Sequence, residues 1–107
     1  MENIKIQMRK GVMEYCVLAI LANGDSYAPA IIAELKNAEM IVVEGTLYPL
    51  LTRLKNAGHL TYRWEESIQG PPRKYYTLTT EGRSHLESLD EAWDTLVEQI
   101  NNIRNKH

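Results

Sequence analysis

The sequence contains a single cysteine and no long apolar run. Cys16 lies in an apolar segment, cannot form an internal disulfide, and is typical of a core thiol in a reducing compartment. No apolar run reaches the roughly 18 residues that a membrane-spanning helix requires. The first ten residues lack the apolar stretch of a signal peptide. We therefore expect a cytoplasmic protein without a membrane partner.

Residues for catalysis or metal binding are also scarce. The sequence has three histidines, at positions 59, 85 and 107, and no metal-binding spacing links them. Glu65 and Glu66 are adjacent in a predicted strand, so they point to opposite faces and cannot act as an acid–base pair. No serine or cysteine has a candidate base nearby in the sequence. We expect neither an enzyme nor a cofactor.

The charge is unevenly distributed along a chain that is long enough for one domain. The 107 residues carry a net charge of −2. Residues 46–83 have a net charge of +3, whereas the segments before and after them are acidic. A basic middle third is compatible with nucleic-acid binding and also with an ordinary solvated face.

Three helices are predicted in the first half of the chain, over residues 9–22, 27–38 and 46–57. Asn23-Gly24-Asp25 ends the first helix, and Ser26 is a good N-cap for the second. The first helix is apolar on nearly all sides, so it must be covered on two faces. We expect a second subunit to supply one of these covers.

The third predicted helix is amphipathic. Leu47, Leu50, Leu51 and Leu54 share one face, which predicts that they point into the core. If Thr46 is the N-cap, Pro49 lies at N3, in the first turn, and disturbs no helical hydrogen bond. The face opposite the leucines carries Thr46, Tyr48, Pro49, Thr52, Arg53 and Lys55.

Alternating residues then predict two strands. Leu60, Tyr62 and Trp64 alternate with polar residues and predict a strand with one buried face. Residues 67–72 predict a turn that Pro71 and Pro72 stiffen, and residues 73–79 alternate again. The sequence thus predicts a two-stranded hairpin with a rigid tip, in which the tyrosines serve in cross-strand packing.

A long C-terminal helix follows, capped by Thr79 or Thr80. Its apolar residues recur with the 3–4 spacing of a heptad pattern, which is typical of a dimer helix. We call this set the heptad stripe, and it consists of Leu86, Leu89, Trp93, Leu96, Ile100 and Ile103. We expect residues 1–79 to form the DNA-binding domain and residues 80–107 the dimerisation helix.

These elements predict a mainly α (α+β) fold, a winged helix-turn-helix with an added C-terminal dimerisation helix. In such a fold the third helix enters the major groove of DNA beside the hairpin. Arg53 and Lys55 can reach phosphates or base edges, and Thr46, Tyr48 and Thr52 can bond to backbone or bases. Arg73 and Lys74 suit a phosphate or minor-groove contact. The acidic total favours an alternative, a dimeric winged-helix module that binds a protein without specific DNA binding.

Two long motifs resemble the PadR family of bacterial transcriptional regulators. Gly45-Thr46-Leu47-Tyr48-Pro49-Leu50-Leu51-x-Arg53-Leu54, followed by Gly58, is similar to the recognition helix of that family. Gly70-Pro71-Pro72-Arg73-Lys74-Tyr75-Tyr76-x-Leu78-Thr79-x-x-Gly82 is similar to its wing, and Gly24-Asp25-x-Tyr27 matches as well. The resemblance implies a homodimeric repressor that binds double-stranded DNA, with an inverted-repeat operator expected from the two-fold symmetry of the dimer.

The single C-terminal helix resembles that of the short PadR subfamily, which includes a multidrug-sensing regulator. The resemblance implies that Trp93 and its symmetry mate sandwich a planar aromatic small molecule. The other wall of this ligand site would then consist of Met8, Val12 and Tyr15 on the first helix. Tyr15 is bulky, which favours a narrow or closed pore. Ordinary packing of Trp93 at the dimer interface is the alternative, and both interpretations stay open.

Overall fold

The computed structural model describes Met8, Arg9 and residues 11–106. Helices α1 (Met13–Ala22), α2 (Ala28–Asn37) and α3 (Glu44–Asn56) come first. The antiparallel strands β1 (Leu60–Ser67) and β2 (Gly70–Leu78) follow, and helix α4 (Thr80–Arg104) ends the order. Three helices, a hairpin and one long added helix confirm the predicted winged-helix fold class.

One hydrophobic core lies where the first three helices meet the base of the hairpin and the start of α4. The leucines that the spacing of α3 predicts to be buried are buried, and they pack with residues from every other element. The core consists of Val17, Leu18, Leu21, Ala28, Ile31, Ile32, Leu35, Leu47, Leu50, Leu51, Leu54, Leu60, Tyr76, Leu78 and Leu86.

The first helix begins later than predicted. The apolar pattern predicted a helix from residue 9, whereas α1 begins at Met13. Met8 and Arg9 are themselves helical, but Gly11 has a φ of +92°, a left-handed conformation that glycine adopts at little cost and that interrupts a right-handed helix. The predicted end at Ala22 is confirmed.

The predicted N-cap of the second helix is wrong. Ser26 instead forms an isolated antiparallel bridge with Tyr76 of β2, in which the Tyr76 N–H donates to the Ser26 carbonyl at 2.7 Å and the Ser26 N–H donates back at 3.2 Å. Tyr27 therefore occupies the N-cap position, and Pro29 lies in the first turn as predicted. This bridge joins the start of α2 to the hairpin.

Helix α3 begins two residues earlier than predicted, at Glu44 after the N-cap Val43. Thr46 therefore lies inside the first turn, and its hydroxyl donates to the Val43 carbonyl at 2.7 Å. Pro49 lies in the helix interior and not in the first turn. Because proline has no N–H, the carbonyl of Gly45, one turn earlier, receives no helical hydrogen bond from position 49.

The hairpin is longer and more exposed than predicted. Ser67 already pairs with Gly70, so the tip consists of Ile68 and Gln69, and Pro71 and Pro72 belong to β2. The expectation of a proline-stiffened tip is therefore wrong. The predicted buried face of β1 is also wrong beyond Leu60, because the outer half of the hairpin extends past the core and leaves Tyr62 38% and Trp64 62% exposed.

Helix α4 begins as predicted and then leaves the core. The Thr79 hydroxyl accepts a hydrogen bond from the Gly82 N–H at 2.9 Å, which confirms Thr79 as the N-cap. Leu86 is buried and Leu89 half-buried, but the stripe from Trp93 onward is exposed. Across the part of the chain that the structure describes, none of the helices has the length and apolar character needed to cross a bilayer.

Candidate nucleic-acid interface

An open cleft of about 660 Å³ separates α3 from the hairpin. Tyr48 and Thr52 line it from the helix, while Trp64, Arg73 and Lys74 line it from the two strands. The start of α2 supplies a third side, which the bridge between Ser26 and Tyr76 places next to β2. The fold thus brings together residues that the sequence analysis assigned to DNA contact from two separate segments.

The outward face of α3 is polar and aromatic. Its four leucines point into the core, and Tyr48 on the other side is 50% exposed. Thr46, Thr52 and Lys55 are exposed as well. The Thr46 hydroxyl hydrogen is already donated to the backbone, so this side chain is left to act mainly as a hydrogen-bond acceptor. The sequence-predicted face is therefore present and accessible.

Arg53 is exposed but has a partner. Its Nη2 atom lies 3.6 Å from Oε1 of Glu14 on α1, and its side chain is 68% exposed. The other oxygen of Glu14 lies 3.0 Å from Nε2 of His85 on α4. The His85 ring in turn stacks on His59 with a centroid distance of 4.3 Å. Glu14 thus links α3 to α4.

The cations of the hairpin lie against aromatic rings. The Arg73 guanidinium carbon is 4.8 Å from the centroid of the Tyr27 ring. The Lys74 ammonium is 4.0 Å from the centroid of the Tyr62 ring, and Lys55 approaches the same ring at 5.7 Å. Contacts of this kind restrict a cation without neutralising it. These rings could not be assigned to the site from the sequence, because its pattern does not reveal which cation lies beside which ring.

Arg63 is a basic residue of the hairpin whose guanidinium is held in ion pairs with two carboxylates. Its guanidinium bonds Oδ2 of Asp25 at 2.6 Å and Oε1 of Glu65 at 3.0 Å. These hydrogen bonds to two carboxylates raise the pKa of Arg63 above its ordinary value. The ion pair with Asp25 joins β1 to the turn before α2, whereas the pair with Glu65 lies within β1. The Arg63 guanidinium is therefore less available to a ligand than that of Arg73.

The central residues of the predicted ligand site lie on α1 and α4. The Tyr15 and Trp93 rings are 6.2 Å apart between centroids and tilted by 50°, and the Tyr15 hydroxyl donates a hydrogen bond to the Asp90 carboxylate. Trp93 is 43% exposed and Met8 is 77% exposed. Val12 is half-buried. The structure therefore brings Tyr15 and Trp93 into one aromatic pair.

Within the described ranges, residues 8–9 and 11–106, no cluster of three His, Cys, Asp or Glu side chains is arranged to hold a metal ion. The stacked His59 and His85 rings lie face to face, and Nδ1 of His59 is buried without a hydrogen-bond partner among these residues.

The cleft between α3 and the hairpin, with its exposed cations and hydroxyls, is typical of a winged-helix DNA-binding protein.

The comparisons with known proteins agree with this class. The model of the transcriptional regulator PadR-like family matches residues 17–88. The chain therefore belongs to the PadR-like family of transcriptional regulators. That family consists of regulators and not of enzymes, in agreement with the sequence-based expectation.

Three solved structures illustrate the likeness. A PadR-like transcription factor from Bacteroides fragilis is 57% identical, with a TM-score of 0.79 over 94% of this chain and 98% of that chain. A PadR family regulator from Eggerthella lenta is 28% identical, with a TM-score of 0.87 over 95% of this chain and 89% of that one. PadR from Bacillus subtilis, solved in complex with operator DNA, is 26% identical, with a TM-score of 0.67 over 73% of this chain and 46% of its own length.

Proposed function

We propose that this regulator is a cytoplasmic repressor that acts as a homodimer on an inverted-repeat operator. In this proposal residues 1–79 bind DNA and residues 80–107 form the dimerisation helix. The observation that carries the proposal is the cleft in which Tyr48 and Thr52 of α3 face Arg73 and Lys74 of the hairpin. The operator complex of the Bacillus subtilis relative supports it.

The site residues divide into two roles. Thr46, Tyr48, Thr52 and Arg53 lie on the face of α3 that would meet base edges in the major groove. Lys55, Arg73 and Lys74 supply phosphate contacts, which fix the position of the protein on DNA but carry no sequence information. Arg53 would exchange its long contact with Glu14 for a base. Because that contact is 3.6 Å long and largely exposed, it competes only weakly with the binding of Arg53 to a base.

Single substitutions test these roles on a duplex that the wild-type protein selects from a random pool. Lys55→Ala, Arg73→Ala or Lys74→Ala should weaken binding to all sequences and lower the salt slope by about one unit each. Arg53→Ala should cost about 1–3 kcal/mol and relax the preference at one base position. Fluorescence anisotropy at several salt concentrations measures both quantities.

Arg104→Ala is the matched control, because Arg104 lies in the last turn of α4, far along the chain from the cleft. It should bind as the wild type does. If the variants of Arg53, Lys55, Arg73 and Lys74 all keep their fold and also bind like the wild type, the recognition assignment is wrong. A protein-interaction module would then be the better description.

We further propose that a planar aromatic ligand releases the repressor from DNA. The exposed Trp93 and its contact with Tyr15 support an aromatic site at the dimer interface, with Met8 and Val12 on the neighbouring wall. Ligand entry would move the two α4 helices apart and alter the spacing of the recognition helices, which lowers operator affinity through linkage.

Tryptophan emission tests this second proposal. The chain has two tryptophans, so Trp64→Phe leaves Trp93 as the single reporter. Planar dyes should quench its emission saturably and weaken operator binding in parallel. An emission that stays unchanged across a broad dye panel would identify Trp93 as a packing residue.

A further inference from the structure

Tyr62 of β1 lies beside the cleft, and two cations from different elements approach its ring. The Lys74 ammonium of β2 lies 4.0 Å from the ring centroid, and the Lys55 ammonium of α3 lies 5.7 Å from it. Both distances are within the roughly 6 Å over which a cation is attracted to the face of an aromatic ring. One ring is thus shared by the recognition helix and the hairpin.

The orientation of the Tyr62 ring is fixed by its neighbours. Trp64, on the same face of β1, meets it edge-on at 6.5 Å and 87°, and Tyr76 across the ladder meets it at 6.1 Å and 56°. Tyr62 pairs in register with the buried Tyr76, so its backbone is held at the edge of the core. Tyr62 is nevertheless 38% exposed.

Lys74 is restricted by the same group of rings. Its ammonium also lies 5.5 Å from the Tyr76 ring and 5.8 Å from the Trp64 ring, and its side chain is half-buried while still lining the cleft. A lysine side chain is flexible, and ordering it at the moment of binding lowers affinity. An ammonium that rests on a ring is ordered beforehand, and its remaining N–H groups stay available to a phosphate.

We propose that Tyr62 is a positioning residue for DNA binding. Its ring holds the ammonium groups of Lys55 and Lys74 in a fixed relation, so that α3 and the hairpin offer their phosphate contacts as one preformed unit. This inference rests on the proposed DNA-binding function and adds to it a residue that itself contacts no DNA.

Substitution of the ring gives the first test. Tyr62→Leu should weaken binding to every duplex by about 4- to 25-fold, since the prior ordering that one exposed cation–π contact supplies is worth a factor of about two to five and two contacts are lost. Tyr62→Phe keeps the ring and should bind as the wild type does. Trifluorophenylalanine at position 62 keeps the shape but removes electron density from the ring face, and it should reproduce the loss even if Tyr62→Leu fails to fold.

A double-mutant cycle separates positioning from a general structural effect. Lys74→Ala should cost about two to five times less affinity in the Tyr62→Leu background, or in the trifluorophenylalanine background, than in the wild type. Arg73→Ala is the matched control, because Arg73 rests on Tyr27 and not on Tyr62. Its cost should be the same in both backgrounds.

The DNA-free protein gives a readout that does not depend on binding. The Cε protons of Lys74 should show an upfield ring-current shift in the NMR spectrum, and Tyr62→Leu should reduce it. If the wild type binds its selected duplex tightly but the Tyr62–Lys74 cycle shows no coupling, this inference is overturned and the proposed function stands. If the wild type selects no duplex at all, the proposed function fails and this inference fails with it.

Discussion

Tyr15 shows how a single side chain connects the first helix to the last. The hydrogen bond from its hydroxyl to Asp90, together with desolvation and the negative charges of Asp90 and Asp94, raises the pKa of Tyr15 to about 12. The phenol therefore stays protonated at physiological pH. The bond helps to hold the ring beside Trp93, where the proposed ligand would enter.

Alkaline titration tests this bond. The pKa of Tyr15 in the folded protein lies above its ordinary value of 10.0. The contribution of the bond to stability is therefore complete below about pH 10 and is lost as the pH rises from there towards about 12. Tyr15→Phe should lower the free energy of unfolding by about 1 kcal/mol at neutral pH. This difference should shrink in denaturant unfolding above pH 10.

Tyr48→Phe is a suitable control, because Tyr48 is exposed on α3 and should show little change in stability. The sequence contains six tyrosines, so the difference in phenolate absorbance between the wild type and Tyr15→Phe isolates the ionisation of Tyr15. That step should lie near pH 12. A Tyr15 step near pH 10 would contradict the role given to Asp90.

At the scale of the elements, the start of α4 is packed directly on the backbone that enters β1. A Cβ atom at Gly82 would lie 2.1 Å from the carbonyl oxygen of His59 and 2.8 Å from Cδ1 of Leu78. Both distances are shorter than van der Waals contact. The close approach of α4 to the hairpin base therefore requires glycine at this position.

Gly82→Ala should consequently destabilise the protein. In an ordinary helix interior the change from glycine to alanine stabilises by roughly 0.5–1 kcal/mol. Here the overpacking should dominate and cost about 1–3 kcal/mol. Ser84→Ala, at an exposed position two residues further along, is the matched control and should be nearly neutral. Urea unfolding measures both, and a Gly82→Ala variant at least as stable as the wild type would contradict the packing.

The helical half of the fold follows closely from periodicity. The spacing of the four leucines predicted the inward face of α3, and Thr79 was recognisable as a cap because its side chain acts within its own helix. Helix starts were less predictable. Local rules placed Pro49 in a first turn and Ser26 at a cap, whereas tertiary contacts moved the helix start to Glu44 and paired Ser26 with Tyr76.

The hairpin side of the candidate site was harder to predict. Alternation assigns Tyr62 and Trp64 to one face of β1, but it does not determine how far the strand extends beyond the core. It also does not fix the register, which places Trp64 opposite Lys74. The cations could be recognised from the sequence, but the rings on which they rest could not.

At the scale of the whole molecule, α4 makes the described chain elongated, with extents of 58 × 32 × 20 Å. The heptad stripe is exposed over much of its length, with Leu96 at 49%, Ile100 at 45% and Ile103 at 65%. Full burial of a large apolar side chain stabilises a protein by about 1.5–3 kcal/mol. Because about half of each of these side chains is still exposed, burial against a partner would add roughly half of that amount for each residue. A second copy of the same stripe is the partner that we propose.

Sedimentation velocity tests the dimer. At micromolar concentration the protein should sediment with about twice the monomer mass of 12.3 kDa. Ile100→Asp should shift it towards the monomer, because a charge on the stripe would be buried without a partner. Glu98→Lys also changes a charge, but its spacing places it on the opposite side of the helix, so it should leave the dimer intact. A stable, folded wild-type monomer would refute the dimer.

Selection of bound duplexes from a random pool, followed by sequencing, tests the central claim most directly. A two-fold dimer with one recognition helix in each subunit should enrich an inverted repeat. Its half-sites should lie about one helical turn, roughly 10–10.5 base pairs, or a multiple of it apart. Recovery of a single asymmetric site, or no enrichment over the starting pool, would contradict a dimeric regulator that recognises DNA through α3 and the hairpin.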